Sequence, residues 1–182
     1  MRRLWRRRCL RQVVIRNLSR IIRHLFMTRW RVASAFPGRS LNAIEKAVRE
    51  SHQAHIGQVE FAVEGALHSG ALLRGESARE RAIEVFSELR VWDTEYNNGV
   101  FIYLLLADRD VEIVADRGIH ARVGADEWEV ICREMEAEFR RGQYESGAVR
   151  GIRRVTALLE RHFPSLQPER DELPTSPSVL RS

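Results

Sequence analysis

Five oxygen-bearing residues stand where chemistry is most readily placed: Asp93, Asn97, Asn98, Asp116 and Asp126, with Arg117 and His120 beside them. Carboxylate and amide oxygens suit a hard divalent cation such as calcium or magnesium, and calcium takes six or more oxygens. The segment lacks the regular acidic spacing of an EF-hand. The same residues also have conformational uses: Asn97 and Asn98 for a turn, Asp116 to end a strand and Asp126 to start a helix. His52 and His55 would share a helical face, but no third ligand lies at a telling interval, so solvated histidines are expected. Arg117 and the Gly118 amide would together suit a phosphate, although Arg-Gly pairs are common in turns.

The other familiar chemistries find no motif. The chain has no GxxxxGK[ST] phosphate loop, GxGxxG turn, HExxH, GxSxG or Cys-x5-Arg loop. Cys9 and Cys132 stand alone, so neither a disulfide framework nor a zinc site is indicated. A reducing, cytoplasmic location is therefore expected. The four tryptophans sit at helix-compatible positions and read as packing groups, not base-stacking platforms.

Elements that would position these residues follow from hydrophobic periodicity. Ser40 is a plausible N-cap for a helix from Leu41 to about Gln53. Gln58–Glu64 alternates strictly, which predicts a half-buried strand with Val59, Phe61 and Val63 inward. Ser77 and Glu80 form a capping box for a helix with Ala82, Phe86 and Leu89 inward. After the Asn97-Asn98-Gly99 turn, the apolar run Val100–Ala107 predicts a strand buried on both faces. Asp108-Arg109 then reverses the chain into Asp110–Ala115, forming a hairpin. Asp126 and Glu127 favour the start of a helix that buries Trp128, Ile131, Met135 and Phe139. A last helix spans about Ser146 to His162. This α-β-α-β-β-α-α order predicts an α/β domain, an α/β/α sandwich with a mixed sheet covered by helices on both faces.

Charge divides the chain. Of its 182 residues, 1–40 hold 12 Arg and no acid, whereas the other 142 carry 18 basic and 25 acidic groups. A basic leader thus precedes an acidic domain, a pattern that argues against a nucleic-acid binder. Leader residues 4–30 space Leu18, Ile22, Leu25, Phe26 and Trp30 for one helical face with arginines opposite. Such a helix suits an anionic membrane surface, each cation contributing about 1 kcal/mol; it would equally pack on its own domain or serve as an organellar transit segment. No stretch has the roughly 18 consecutive apolar residues of a membrane span. Four of the five prolines lie between 164 and 177, which predicts a disordered tail over 164–182. The expected organisation is leader 1–39, domain 40–163 and tail 164–182.

The middle of the chain resembles a known family. Trp92-Asp93-Thr94-Glu95-Tyr96-Asn97-Asn98-Gly99-Val100, the apolar strand, Ala107-Asp108-Arg109-Asp110-Val111-Glu112-Ile113 and Gly118-Ile119 are similar to the TPM domain. That family is named for a thylakoid lumen phosphatase, a photosystem repair protein and a nematode receptor modulator. Its pattern is an Asp-Asn-Gly-Val turn, a hydrophobic strand, an Asp-Arg hairpin, a Gly-x-Gly-Leu turn and an Asp opening the next helix. Here Asn97 stands for the first Asp, Asp116 for the first Gly, and Asp126 matches the helix-opening Asp. The resemblance, over roughly residues 40–163, implies an α/β/α sandwich, and for some members calcium in an acidic groove.

Two functions are therefore expected. The first is a noncatalytic binding or accessory module, holding a divalent cation at Asp93, Asn97, Asn98, Asp116 and Asp126. It would meet a protein partner or the inner, anionic face of the cytoplasmic membrane through the leader. The second, implied by a plant member, is a metal-assisted acid phosphatase in which the cation polarises phosphate and activates water.

Overall fold

The computed structural model describes residues 18–164 and 173–180. Residues 18–25 form helix α1, and Thr28 caps α2 (Arg29–Ala35) by accepting a hydrogen bond from the Arg31 amide. There follow α3 (Gly38–Ala54), β1 (Gln58–Glu64), α4 (Ser69–Arg74), α5 (Ala78–Glu88), β2 (Gly99–Leu105) and β3 (Asp110–Ala115). The chain continues through α6 (Arg117–His120), α7 (Ala125–Arg140), α8 (Tyr144–His162) and β4 (Ser178–Leu180).

The sheet order is β3-β2-β1-β4, with β1 parallel to both β2 and β4 and β2 antiparallel to β3. The mixed sheet and its helical layers are the α/β arrangement expected. On one face, Val59, Phe61, Val63, Val100, Ile102 and Leu104 pack against α3, α7 and α8. On the other, Phe101, Tyr103 and Leu105 pack with Ala78, Ala82, Val85 and Phe86 of α5. The Ser77–Glu80 capping box forms as expected, and Trp128, Ile131, Met135 and Phe139 of α7 are all buried.

Four expectations need correction. First, α3 begins at Gly38 with Pro37 as its N-cap; Ser40 instead donates to Glu145 Oε2 at 2.6 Å, tying α3 to α8. Second, the leader is not one helix: the chain breaks between α1 and α2, where Thr28 satisfies a new helix start. Residues 1–17 lie outside the described residues. Third, Ser178–Leu180 of the tail is a strand pairing with Ala62–Glu64, giving the outer edge of β1 backbone partners; Pro174 and Pro177 precede it and remove no ladder hydrogen bond. Fourth, β1 is buried on both faces, including Gln58, Glu60 and Glu64.

That buried polar row has its own chemistry. Glu64 Oε2 accepts from Tyr103 Oη at 2.7 Å and from Arg81 Nε at 3.0 Å, so this charge is paired. Glu60 has less support: Oε1 accepts from Ser178 Oγ at 3.2 Å, and Oε2 is buried without a partner. Burial pushes its carboxyl up to about 7, against the weaker pull of Ser178. A raised folded-state value favours the protonated form. The contribution is complete below about pH 4.5 and is lost as pH rises through 7. We expect Glu60→Gln to stabilise the protein by about 2 kcal/mol at pH 8 and by little at pH 4.5. Urea denaturation of both proteins at the two pH values checks this.

Candidate functional site

Two ends of the sheet gather functional groups. At one, the turn before β2 meets the segment after β3. Asn97 takes φ 51°, the left-handed region that Asn tolerates. Asn98 is buried: its amide NH donates to Thr94 Oγ1 at 3.0 Å and its Nδ2 to the Ile56 carbonyl. Across the hairpin, the Asp116 NH donates to the Gly99 carbonyl at 2.8 Å, and Asp116 Oδ1 accepts from the Arg117 amide at 2.6 Å as the N-cap of α6. Its φ of −65° is ordinary extended backbone, so Asp sits at 116 without strain. A β-carbon at Gly118 would lie 2.6 Å from the Asn97 carbonyl oxygen. Only glycine lets these two segments approach so closely.

Of the five residues singled out, Asn97, Asn98 and Asp116 thus come to one sheet end. Asp93 and Asp126 are exposed, the latter in the first turn of α7, and neither side chain bonds to that trio. Among the described residues, no three His, Cys, Asp or Glu side chains group closely enough to hold a metal ion. Asn98 Oδ1 and Asp116 Oδ2 are nevertheless buried acceptors without a hydrogen-bond partner.

His52 and His55 are not solvated, contrary to expectation; both are buried. His52 Nε2 accepts from the Val59 amide at 2.9 Å, and His55 Nε2 is hydrogen-bonded to Ser51 Oγ at 2.9 Å. Thr156 of α8 donates to Ser51 at 2.8 Å. Burial, then the nearby His52, lowers His55 to about 4. This Ser–His pair has the reach of a nucleophile and base, but it lies sealed between α3 and α8 and joins them.

At the opposite end, the β2–β3 turn meets the leader. Asp108 Oδ2 accepts from Arg20 Nε at 2.7 Å and from His24 Nε2 at 3.1 Å, while Oδ1 accepts from Arg23 Nη2 at 3.0 Å. His24 Nδ1 accepts from the Leu67 amide, so its ring proton sits on Nε2 and points at Asp108. Burial alone would raise Asp108; the bonds from His24, Arg20 and Arg23 outweigh it and hold the carboxyl well below its usual range. Arg20 and Arg23 also donate to the Glu76 and Ala107 carbonyls. Sequence reasoning missed this clasp because its partners are more than 80 residues apart. Its one signal was a carboxylate, Asp108, directly after the apolar run Val100–Ala107.

The clasp turns α1 around. Its polar Arg20 and His24 face the domain, whereas Leu18, Ile22 and Leu25 are exposed, together with Phe26 and Trp30 just beyond.

Known proteins agree with this architecture. BA42 from the psychrophilic bacterium Bizionia argentinensis superposes with a TM-score of 0.71 at 27% identity, covering 80% of this chain and 95% of that one. The N-terminal domain of a P. gingivalis protein matches in fold, with a TM-score of 0.58 at 16% identity over 76% of this chain and 83% of its own. No curated protein matches the chain. The TPM domain profile matches residues 33–158, from α2 almost to the end of α8, and includes the Asn98–Gly99 turn, the Asp108–Arg109 reversal and Gly118. The chain belongs to the TPM domain family.

Proposed function

We propose that this TPM protein is a noncatalytic accessory module that docks on an anionic membrane surface through α1 and α2. One observation carries the reading: α1 turns Arg20 and His24 to the domain and Leu18, Ile22 and Leu25 outward. Leu25, Phe26 and Trp30 are 70%, 65% and 75% exposed, and the exposed Arg29 and Arg31 flank Trp30. Large apolar groups beside arginines match an interface of acyl chains and acidic headgroups. Among the described residues, no helix is long and apolar enough to cross a membrane, so the contact is peripheral. The surface proposed is the inner, anionic face of the cytoplasmic membrane.

A weakly held divalent cation at Asn98 and Asp116 belongs to the same reading, at the far end of the sheet from the leader. Hydrolysis asks more of the residues than they offer. Asp93, Asp116 and Asp126 are not grouped, and the Ser51–His55 pair is buried.

Co-sedimentation of the full chain with vesicles tests the docking. Binding to phosphatidylserine-containing vesicles and not to phosphatidylcholine ones is expected. The double substitution Phe26→Ser/Trp30→Ser should weaken it by about tenfold or more, since each side chain loses about 1 kcal/mol or more of apolar burial. Equal sedimentation with neutral vesicles, or none with either, would sink the docking. For the cation, calorimetric titration with calcium should give a saturable signal that Asn98→Ala reduces. A flat titration removes the ion from the account.

A further inference from the structure

Beside the leader lies a groove of about 1240 Å³, away from the cation site and bordered on one side by Trp30 and Arg31 of the docking face. Its walls are α2, the start of α3, the β2–β3 turn and the turn joining α7 to α8. Six arginines line it, against two carboxylates. Both carboxylates are spent: Asp108 is taken by Arg20, Arg23 and His24, and Glu145 by Ser40. Three of the arginines are spent as well, Arg23 on Asp108, Arg140 on Glu136 and Arg150 on Glu138.

The other three, Arg31, Arg39 and Arg109, are exposed and form no side-chain hydrogen bond or ion pair among the described residues. They come from three separate elements, so the fold assembles this charge and no local run of sequence does. Arg109 is held at φ 53° in the hairpin turn. Such a conformation is uncommon for a residue without glycine's freedom or an Asn side chain. The first turns of α3 and α8 open on the same space, and neither Pro37 nor Gln143 supplies a side-chain cap. Their free amides add to the same positive field.

We propose that this groove binds a phosphate-type dianion through Arg31, Arg39 and Arg109. Guanidinium groups match phosphate oxygens two at a time, and three lining one groove neutralise a dianion that a single surface arginine would not hold. The phosphate belongs either to a small soluble phosphomonoester or to an anionic lipid headgroup reached from the docking face. The groove shares Trp30 and Arg31 with the docking face, so the test substitutes Arg39 and Arg109, which that face does not use, and Phe26, which lines no part of the groove.

Calorimetric titration of the full chain with inorganic phosphate and with glycerol phosphate, at constant chloride, is the test. It is run on the wild type, on Arg39→Gln/Arg109→Gln and on Phe26→Ser. The arginines have no partners to lose, so the double variant should melt as the wild type does. Saturable binding of either soluble probe, weakened about tenfold or more by the arginine substitutions and unchanged by Phe26→Ser, supports a soluble source. Binding only to phosphatidic acid vesicles, lost in the arginine variant, supports the headgroup. No binding of any of these probes, or binding that the arginine substitutions leave unchanged, overturns the proposal.

Discussion

Replacing Asp108 by Ala is expected to free the leader from the domain. Its carboxylate accepts from Arg20, Arg23 and His24 at 2.7–3.1 Å and is the shared acceptor for all three. Removing it leaves His24, itself buried, without its Nε2 acceptor and two guanidinium groups without their anion. Breaking a largely buried charge pair from one side costs about 3 kcal/mol or more. Most of that loss should fall on α1, since Asp108 is the one carboxylate that Arg20, Arg23 and His24 share, while the bonds to the Glu76 and Ala107 carbonyls and from the Leu67 amide remain. Amide exchange in residues 18–25 should accelerate by two orders of magnitude or so, with β1 and β2 little changed. Equal protection of α1 in both proteins would contradict the clasp. Acid offers a second check. Asp108 is held below its ordinary range, so its contribution is present above about pH 4 and is lost only as pH falls through the lowered value. Residues 18–25 should therefore stay protected at pH 5, where a surface carboxylate pair is already weakening.

Gly99→Ala is expected to be the most damaging single methyl in the domain. A β-carbon at 99 would overlap the Val91 carbonyl oxygen and sit 3.1 Å from its carbon. The obstacle is backbone, and Val91 is itself fixed by donating to the Phe86 carbonyl at 3.1 Å. No rotamer change relieves it. Overpacking commonly costs 1–3 kcal/mol, and with β2 the central strand the loss here should reach about 4 kcal/mol or prevent folding. Gly124→Ala is the matched control, because a β-carbon there meets nothing within 4 Å. Denaturation midpoints of the two variants decide the matter. Similar stabilities would mean that the β2 entry turn gives way more easily than its packing implies.

The glycine and asparagine punctuation before β2 was visible in sequence, as were β1 and β3, whose spans match the periodicity residue for residue. Local chemistry set these elements. What escaped depended on partners distant in the chain. Glu60 and Glu64 alternate with apolar neighbours as solvent-facing residues do, yet Ser178, Tyr103 and Arg81 lie over them. The strand Ser178–Leu180 is three residues long in a proline-rich stretch, and its only reason to be extended is the open edge of β1. In the leader, the spacing of apolar residues was legible but not its direction. Amphipathicity alone leaves Leu18, Ile22 and Leu25 free to face either the core or a membrane surface. Asp108, more than 80 residues away, decides between them by holding Arg20 and His24 against the domain.

The candidate cation residues show the same limit. Turn propensity accounts for Asn97, helix capping for Asp116 and a favourable helix start for Asp126. Only the buried, unpartnered oxygens of Asn98 and Asp116 point beyond local structure. Sequence spacing does not distinguish an acceptor that is satisfied from one that is not.

Because α1 and the Asn98–Asp116 turns lie at opposite ends of the sheet, the central claim has a geometric test. Hydrogen exchange should be followed by mass spectrometry on the full chain, free and bound to phosphatidylserine vesicles. The account predicts new protection over residues 18–35, centred on Leu25, Phe26 and Trp30, with the turns at 96–99 and 116–126 exchanging as before. Protection appearing at those turns instead, or no change over 18–35 in vesicle-bound protein, would contradict docking through the leader.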